Sequence, residues 1–140
     1  MAALFGKRFI EDDEGIVECF ADKSWLSLTA SDLKRCEFAL QCFTLQGFLY
    51  FMPAYLRALL ESPDELDSAG DAFLARLIGD GTRRGSRLAE YMDHMTDAQL
   101  SVVADVLRHE LARQGGWEAS AISNEVEKAL ELITDRLAHR

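Results

Sequence analysis

The chain has only two prolines, three cysteines and three histidines in 140 residues, and each scarcity excludes something. Two prolines and nine glycines are too few for a linker-rich or disordered chain. The cysteines Cys19, Cys36 and Cys42 are odd in number and lie among apolar neighbours, unlike the four or more that staple a small secreted fold. Reduced core thiols in a cytoplasmic protein are therefore expected, with Cys36 a core residue. A cysteine nucleophile needs a base and a polarised, accessible setting, and the sequence offers neither. Cys36 and Cys42 are six residues apart, which on an ideal helix places them on different faces. The histidines His94, His109 and His139 are scattered, and neither His-x-x-x-His nor Cys-x-x-Cys occurs, so the expectation is no metal and no cofactor.

Strand signals are missing as well. No alternation of apolar and polar residues is bounded by turn residues, and the periodicity is helical from end to end. A secretory signal is also lacking: MAALFGKRFIEDDEG has a basic pair, but its apolar run is short and acids begin at Glu11. Export by that route is not expected. The longest apolar run, residues 43–60 (FTLQGFLYFMPAYLRALL), holds five of the thirteen aromatic residues and a single charge, Arg57. Its eighteen residues reach the lower limit of a bilayer span. Gln46, Gly47, Pro53 and Arg57 oppose that reading, since a charge near a helix centre costs a few kcal/mol in lipid and no basic cluster flanks the run. The run reads as core, with no membrane partner.

The chain is rich instead in acidic residues and in helix-forming pattern. The net charge is −9. Residues 11–22 contain Glu11, Asp12, Asp13, Glu14, Glu18 and Asp22 and no base; residues 61–71 contain Glu61, Asp64, Glu65, Asp67 and Asp71 and no base. These two segments carry −11, so the remainder sums to +2. Such a balance repels nucleic acid and anionic membrane and attracts basic partners. A chain of this length buries about 70% of the surface that its unfolded form exposes, so residues 1–140 are expected to form a single compact all-α domain, a bundle of about six or seven helices.

A first predicted helix covers residues 12–22, with Ile16, Cys19 and Phe20 on one face and acids suited to the positive end of the helix dipole. A second starts after Thr29, a cap residue followed three positions later by Asp32, with Leu33, Cys36, Leu40 and Phe43 at helical spacing. A third begins near Thr44 and must break or kink at Pro53, which lacks an N–H and can open a fresh helix instead. Ser62-Pro63-Asp64-Glu65 reads as cap, first-turn proline and capping box. Gly70 weakens the helix that this signal opens, leaving one helix or two short ones. Residues 79–86, GDGTRRGS, form the clearest loop. Ser86 caps a short helix presenting Leu88, Tyr91, Met92 and Met95. Thr96 to Gln99 is a second capping box, opening a helix with Leu100, Val103, Ala104, Leu107 and Leu111 on one face. Gly115-Gly116 reverses the chain into a last helix with Ile122, Val126, Ala129, Leu130, Ile133 and Leu137 inward, giving a carboxyl-terminal antiparallel hairpin.

Two further patterns are weighed against simpler readings. The glycines of residues 79–86 with Arg83 and Arg84 resemble a phosphate cradle, but such loops follow a strand, and here a helix precedes, so an exposed connection is preferred. The acids at 11–14 lack the spaced ligands and distal glutamate of a calcium loop. A solvated acidic face, or a docking patch for a basic protein, remains.

Tyr50-Phe51-Met52-Pro53-Ala54-Tyr55-Leu56, with Leu45 and Phe48 before it and Met95-Thr96-x-x-Gln99 after it, resembles a family of small bacterial proteins known only as a domain of unknown function. Its pattern is a Trp-x-x-Leu approach, a Tyr-x-x-Pro-Ala-aromatic-Leu core and a Leu-Thr-x-x-Gln helix start. Trp25 to Leu28 fits the approach loosely, and Met95 replaces the usual leucine. The resemblance covers residues 25–111 and implies a bacterial all-α domain with no catalytic residue to transfer.

Small size, acidity and the lack of a catalytic set lead to the expectation of a non-enzymatic binding protein of the immunity or antitoxin kind. It would neutralise a basic bacterial toxin or effector through Glu11, Asp12, Asp13, Glu14, Glu18, Asp22, Glu61, Asp64, Glu65 and Asp67. The alternative is a helical adaptor or regulatory subunit acting as a homodimer. An enzyme using residues 79–86 ranks last.

Overall fold

The structure is a computed structural model that describes residues 20, 24–41, 43–78, 88–114 and 121–139, without the side chains of residues 38, 41, 114 and 121–124. Among these residues there are seven α-helices and no strand. In chain order they are α1 (Ala30–Arg35), α2 (Leu45–Glu61), α3 (Pro63–Leu66), α4 (Ser68–Ile78), α5 (Leu88–Met92), α6 (Asp97–Gln114) and α7 (Ala121–Ala138), with 3-10 turns at Trp25–Ser27 and Glu37–Gln41. The all-α expectation holds. The chain divides into two compact units, residues 1–73 and 74–140; the first six residues of α4 belong to one and the last five to the other.

Helix α2 dominates the first unit. Thr44 caps it by accepting from the Gly47 N–H at 3.1 Å. It then runs without interruption through Pro53 to Glu61. Of the break or kink expected at Pro53, the break does not occur and no fresh helix opens there, and burial explains why. A helix-interior proline costs about 3 kcal/mol, whereas burying one large apolar side chain contributes about 1.5–3 kcal/mol. Helix α2 buries six such side chains: Phe48, Phe51, Met52, Tyr55, Leu56 and Leu59. Pro53 itself is half-buried, on the flank away from this face.

The buried face meets two aromatic groups. Phe20 and Phe43 pack on Phe51, with ring centroids 4.8 and 5.4 Å from it and 5.2 Å from each other. Phe73 of α4 stacks on Phe48 at 5.6 Å and lies parallel to Tyr55 at 5.0 Å. Phe20 is helical and fully buried, as its place on the apolar face of the predicted first helix requires. The other residues of that predicted helix lie outside the described residues, as do residues 79–86, where the sequence predicts a loop.

Helix α1 forms where the sequence places it. Thr29 accepts from the Asp32 N–H at 3.1 Å, and the Asp32 carboxylate accepts from the Thr29 N–H at 3.1 Å. It ends early, with Cys36 as its cap in a non-helical conformation and a 3-10 turn beyond. The expected face still goes inward, since Leu33, Cys36, Leu40 and Phe43 are all buried. Cys36 is not a reduced thiol, however: it is disulfide-bonded. The ideal-helix argument about its orientation fails because the helix stops at that residue. The other two cysteines, Cys19 and Cys42, lie outside the described residues.

Ser62 links α2 to α3 and departs from the predicted box. Its N–H donates to the Ala58 carbonyl at 2.8 Å, closing α2, and its side chain makes no cap bond to α3. Its backbone nonetheless serves both helices: the Ser62 carbonyl accepts from the Leu66 N–H at 3.0 Å, so Ser62 stands at the cap position of α3 and only the side-chain bond of the box is missing. Proline at the first position of α3 is as expected. The next break falls at Asp67, with φ 50° and ψ −130°, a region that glycine reaches readily and other residues rarely. Gly70 sits inside α4, where a Cβ would lie 3.1 Å from Leu59 Cδ2 and 3.3 Å from Leu66 Cδ2. Its smallness serves close packing there.

In the second unit, Thr96 and Gln99 form the predicted capping box, with reciprocal bonds of 2.9 and 3.1 Å. Leu88, Tyr91, Met92 and Met95 are buried around α5, as are Leu100, Val103, Ala104 and Leu107 on α6 and Val126, Ala129 and Ile133 on α7. Leu111, Leu130 and Leu137 are half-buried. Helices α6 and α7 pack on each other. Arg136, near the end of α7, reaches Asp93, just before α6, at 2.8 Å, which makes the pair antiparallel. Glu110 is fully buried and pairs with Arg113 one turn on through two bonds, 3.2 and 2.7 Å. Paired and hydrogen-bonded, the buried carboxylate avoids the desolvation cost of an isolated charge.

One disulfide takes up two of the three thiols, so thiol titration of the unfolded, unreduced protein should give one reactive thiol and the reduced protein three. Asp67→Gly should raise the stability measured by urea denaturation by about 1 kcal/mol through relief of backbone strain. Lys34→Met, which removes only the solvent-exposed Lys34–Asp67 ion pair, should change it by less than about 0.5 kcal/mol.

Candidate functional site

The acidic residues singled out in sequence divide cleanly. Glu11, Asp12, Asp13, Glu14, Glu18 and Asp22 lie outside the described residues. Glu61, Asp64, Glu65 and Asp67 are all exposed, and Asp71 with them. The structure brings these together because four helix termini occur in eleven residues. Glu61 is the last residue of α2, Asp64 and Glu65 fill the first turn of α3, Asp67 joins α3 to α4, and Asp71 lies in the first turn of α4. Leu66, Ala69 and Phe73 from the same stretch are buried. The segment is thus anchored by its apolar residues and presents its carboxylates outward.

The bases near this segment are engaged. Seven acids and three bases occur among the described residues of the first unit. Lys34 of α1 reaches Asp67 at 3.0 Å, and α1 packs against α3. Arg35 pairs with Asp32 at 3.4 Å. Arg57 turns to the backbone of residues 25–28: its Nη2 donates to the carbonyls of Trp25, Leu26 and Leu28 at 3.4, 3.3 and 2.7 Å, and its Cζ lies 5.6 Å from the centre of the Trp25 ring. Glu61, Asp64 and Glu65 make no ion pair among the described residues. Charges so placed attract a cation over about one Debye length, ~8 Å at physiological salt.

Arg57 and its carbonyl partners were not foreseen in the sequence. The signal was a lone base in an otherwise apolar run, which asks for a partner without saying where in the chain it lies. Its effect is to fasten the turn Trp25–Ser27 onto α2, so that Leu26 points away and is 64% exposed. Leu60, one turn after Arg57, is 46% exposed, and Tyr50 on the same helix is exposed as well.

The other candidates gain no geometry. His94, His109 and His139 are exposed, and His139 Nδ1 lies 2.7 Å from the Asp135 carbonyl oxygen of its own helix. Among the described residues no three side chains of the histidine, cysteine, aspartate and glutamate types are grouped so as to hold a metal ion. The glycine-rich segment with Arg83 and Arg84 lies outside the described residues. None of the described helices is long and apolar enough to cross a membrane.

Comparison with known families gives one match. The model of a family of unknown function, DUF6714, matches residues 8–128, which takes in the Pro53 segment, the acidic residues of α3 and the whole of α6. No curated protein and no solved structure matches the chain. With more than four-fifths of its length covered, the chain belongs to DUF6714, a family of unknown function.

Proposed function

We propose that the protein is a non-enzymatic binding protein of the immunity or antitoxin kind, whose acidic surface neutralises a basic bacterial toxin or effector. The observation that carries this reading is the segment of residues 61–71, whose acids are exposed while its apolar residues are buried. An acidic face fixed on packed helices has its charges arranged before the partner arrives, so little ordering cost opposes association. Lys34 and Arg35 are paired with Asp67 and Asp32, so among the three bases of the described first unit only the charge of Arg57 offsets those of Glu61, Asp64 and Glu65. Complementary fields of this kind raise association rates by about 10 to 1,000-fold and act less on dissociation.

The homodimeric adaptor has one observation in its favour: Val102 on α6 and Leu132 on α7 are exposed large apolar residues. It ranks second because a dimer joined there would give the acidic segment no role.

The test is co-expression with basic toxin domains encoded beside the gene. Cells should be rescued by the wild-type chain, and rescue should be lost with Glu61→Lys, Asp64→Lys and Glu65→Lys combined. The purified pair should associate at least tenfold more slowly when salt rises from low to high concentration. Rescue undiminished by the triple charge reversal would refute the reading.

A further inference from the structure

We propose that the first unit docks a basic amphipathic helix of its protein partner along the exposed stripe of α2 beside Leu26, with Glu61, Asp64 and Glu65 as the rim that receives the basic residues. The proposal names the partner segment for the reading above and rests on it.

Tyr50, Pro53, Arg57 and Leu60 follow one another at i, i+3, i+7 and i+10, the spacing of a single stripe on a helix. Tyr50 and Leu60 are exposed, and Pro53 and Arg57 are half-buried. The opposite face of the same helix is the aromatic core, so this stripe is the side of α2 left outward. It spans ten residues, about 15 Å at 1.5 Å per residue, the length of three turns of a partner helix. The turn Trp25–Ser27 lies beside it, held by Arg57, and adds the outward side chain of Leu26.

Arg57 is held in place on this stripe: its Nη2 donates to three carbonyls and its guanidinium lies by the Trp25 ring. These partners are neutral and its charge remains, but the acids around the stripe outnumber it: Glu61 adjoins Leu60, and Asp64 and Glu65 follow on α3. An apolar stripe with an acidic rim at one end is complementary to a helix with leucine-like residues on one face and lysine or arginine flanking them. An anionic membrane would be repelled by these acids.

The test uses isothermal titration calorimetry of the full chain with two synthetic peptides of equal length and composition. In one, leucines line a single helical face between lysines; in the other the same residues are scrambled. The amphipathic peptide should bind at least tenfold more tightly than the scrambled one. Leu26→Ser combined with Leu60→Ser, with helical circular dichroism unchanged, should weaken it at least tenfold, while Val102→Ser with Leu132→Ser should change it less than twofold. Glu61→Gln, Asp64→Asn and Glu65→Gln together should flatten its salt dependence. Equal binding of both peptides, or binding insensitive to the Leu26 and Leu60 substitutions, would overturn the docking stripe and leave the charge-based reading standing. Failure of both peptides to bind at low salt would overturn both.

Discussion

The first unit depends on burial of one face of α2. Its aromatic residues bring together parts of the chain that are distant in sequence: Phe20 and Phe43 pack on Phe51, and Phe73 packs on Phe48 and Tyr55. That burial is large enough to carry the helix through Pro53 and to set the position of α4, whose Phe73 has no other reason to lie against α2. Because α3 and the start of α4 are drawn in by Leu66, Ala69 and Phe73, the carboxylates between them have nowhere to go but outward. Packing and charge display are two consequences of one alternation in residues 61–73.

A second constraint acts on the opposite side of the same helix. Arg57 is the only charge in the apolar run, and it is retained because three carbonyls and an aromatic ring accept it. Charge-assisted hydrogen bonds of this sort are about twice as strong as neutral ones. They hold residues 25–28 against α2 without burying Leu26. The exposed stripe and the exposed acids thus arise from the same helix and its immediate continuation.

The features legible in sequence are the ones whose partners lie within a turn. The boxes at Thr29–Asp32 and Thr96–Gln99 form as their three-residue spacing dictates, and the inward residues of α5, α6 and α7 follow from periodicity. Where local and tertiary effects compete, local signals mislead. Pro53 argued for a break, but burial of six large side chains outweighs one lost hydrogen bond. Ser62 stands at the cap position of α3 as its sequence signals, but it also closes α2, and its side chain makes no cap bond. Cys36 is the buried core residue that its spacing predicts, but it is disulfide-bonded rather than reduced. The candidate site was half legible. Charge counting finds Glu61, Asp64, Glu65 and Asp67, but the adjoining apolar stripe depends on Arg57 meeting carbonyls some thirty residues away, which no local pattern encodes.

The central claim is that burial of the α2 face and display of the acidic segment form one cooperative unit. Native-state hydrogen exchange across a denaturant series measures this directly, residue by residue. The amides of Tyr55 and Leu59 in α2 and those of Leu66, Gly70 and Phe73 in the acidic segment should merge into a single opening with one free energy and one denaturant dependence. If the amides of Leu66 and Gly70 exchange through a separate, low-energy opening while α2 stays protected, the acidic segment is not held by the aromatic core and the account is wrong.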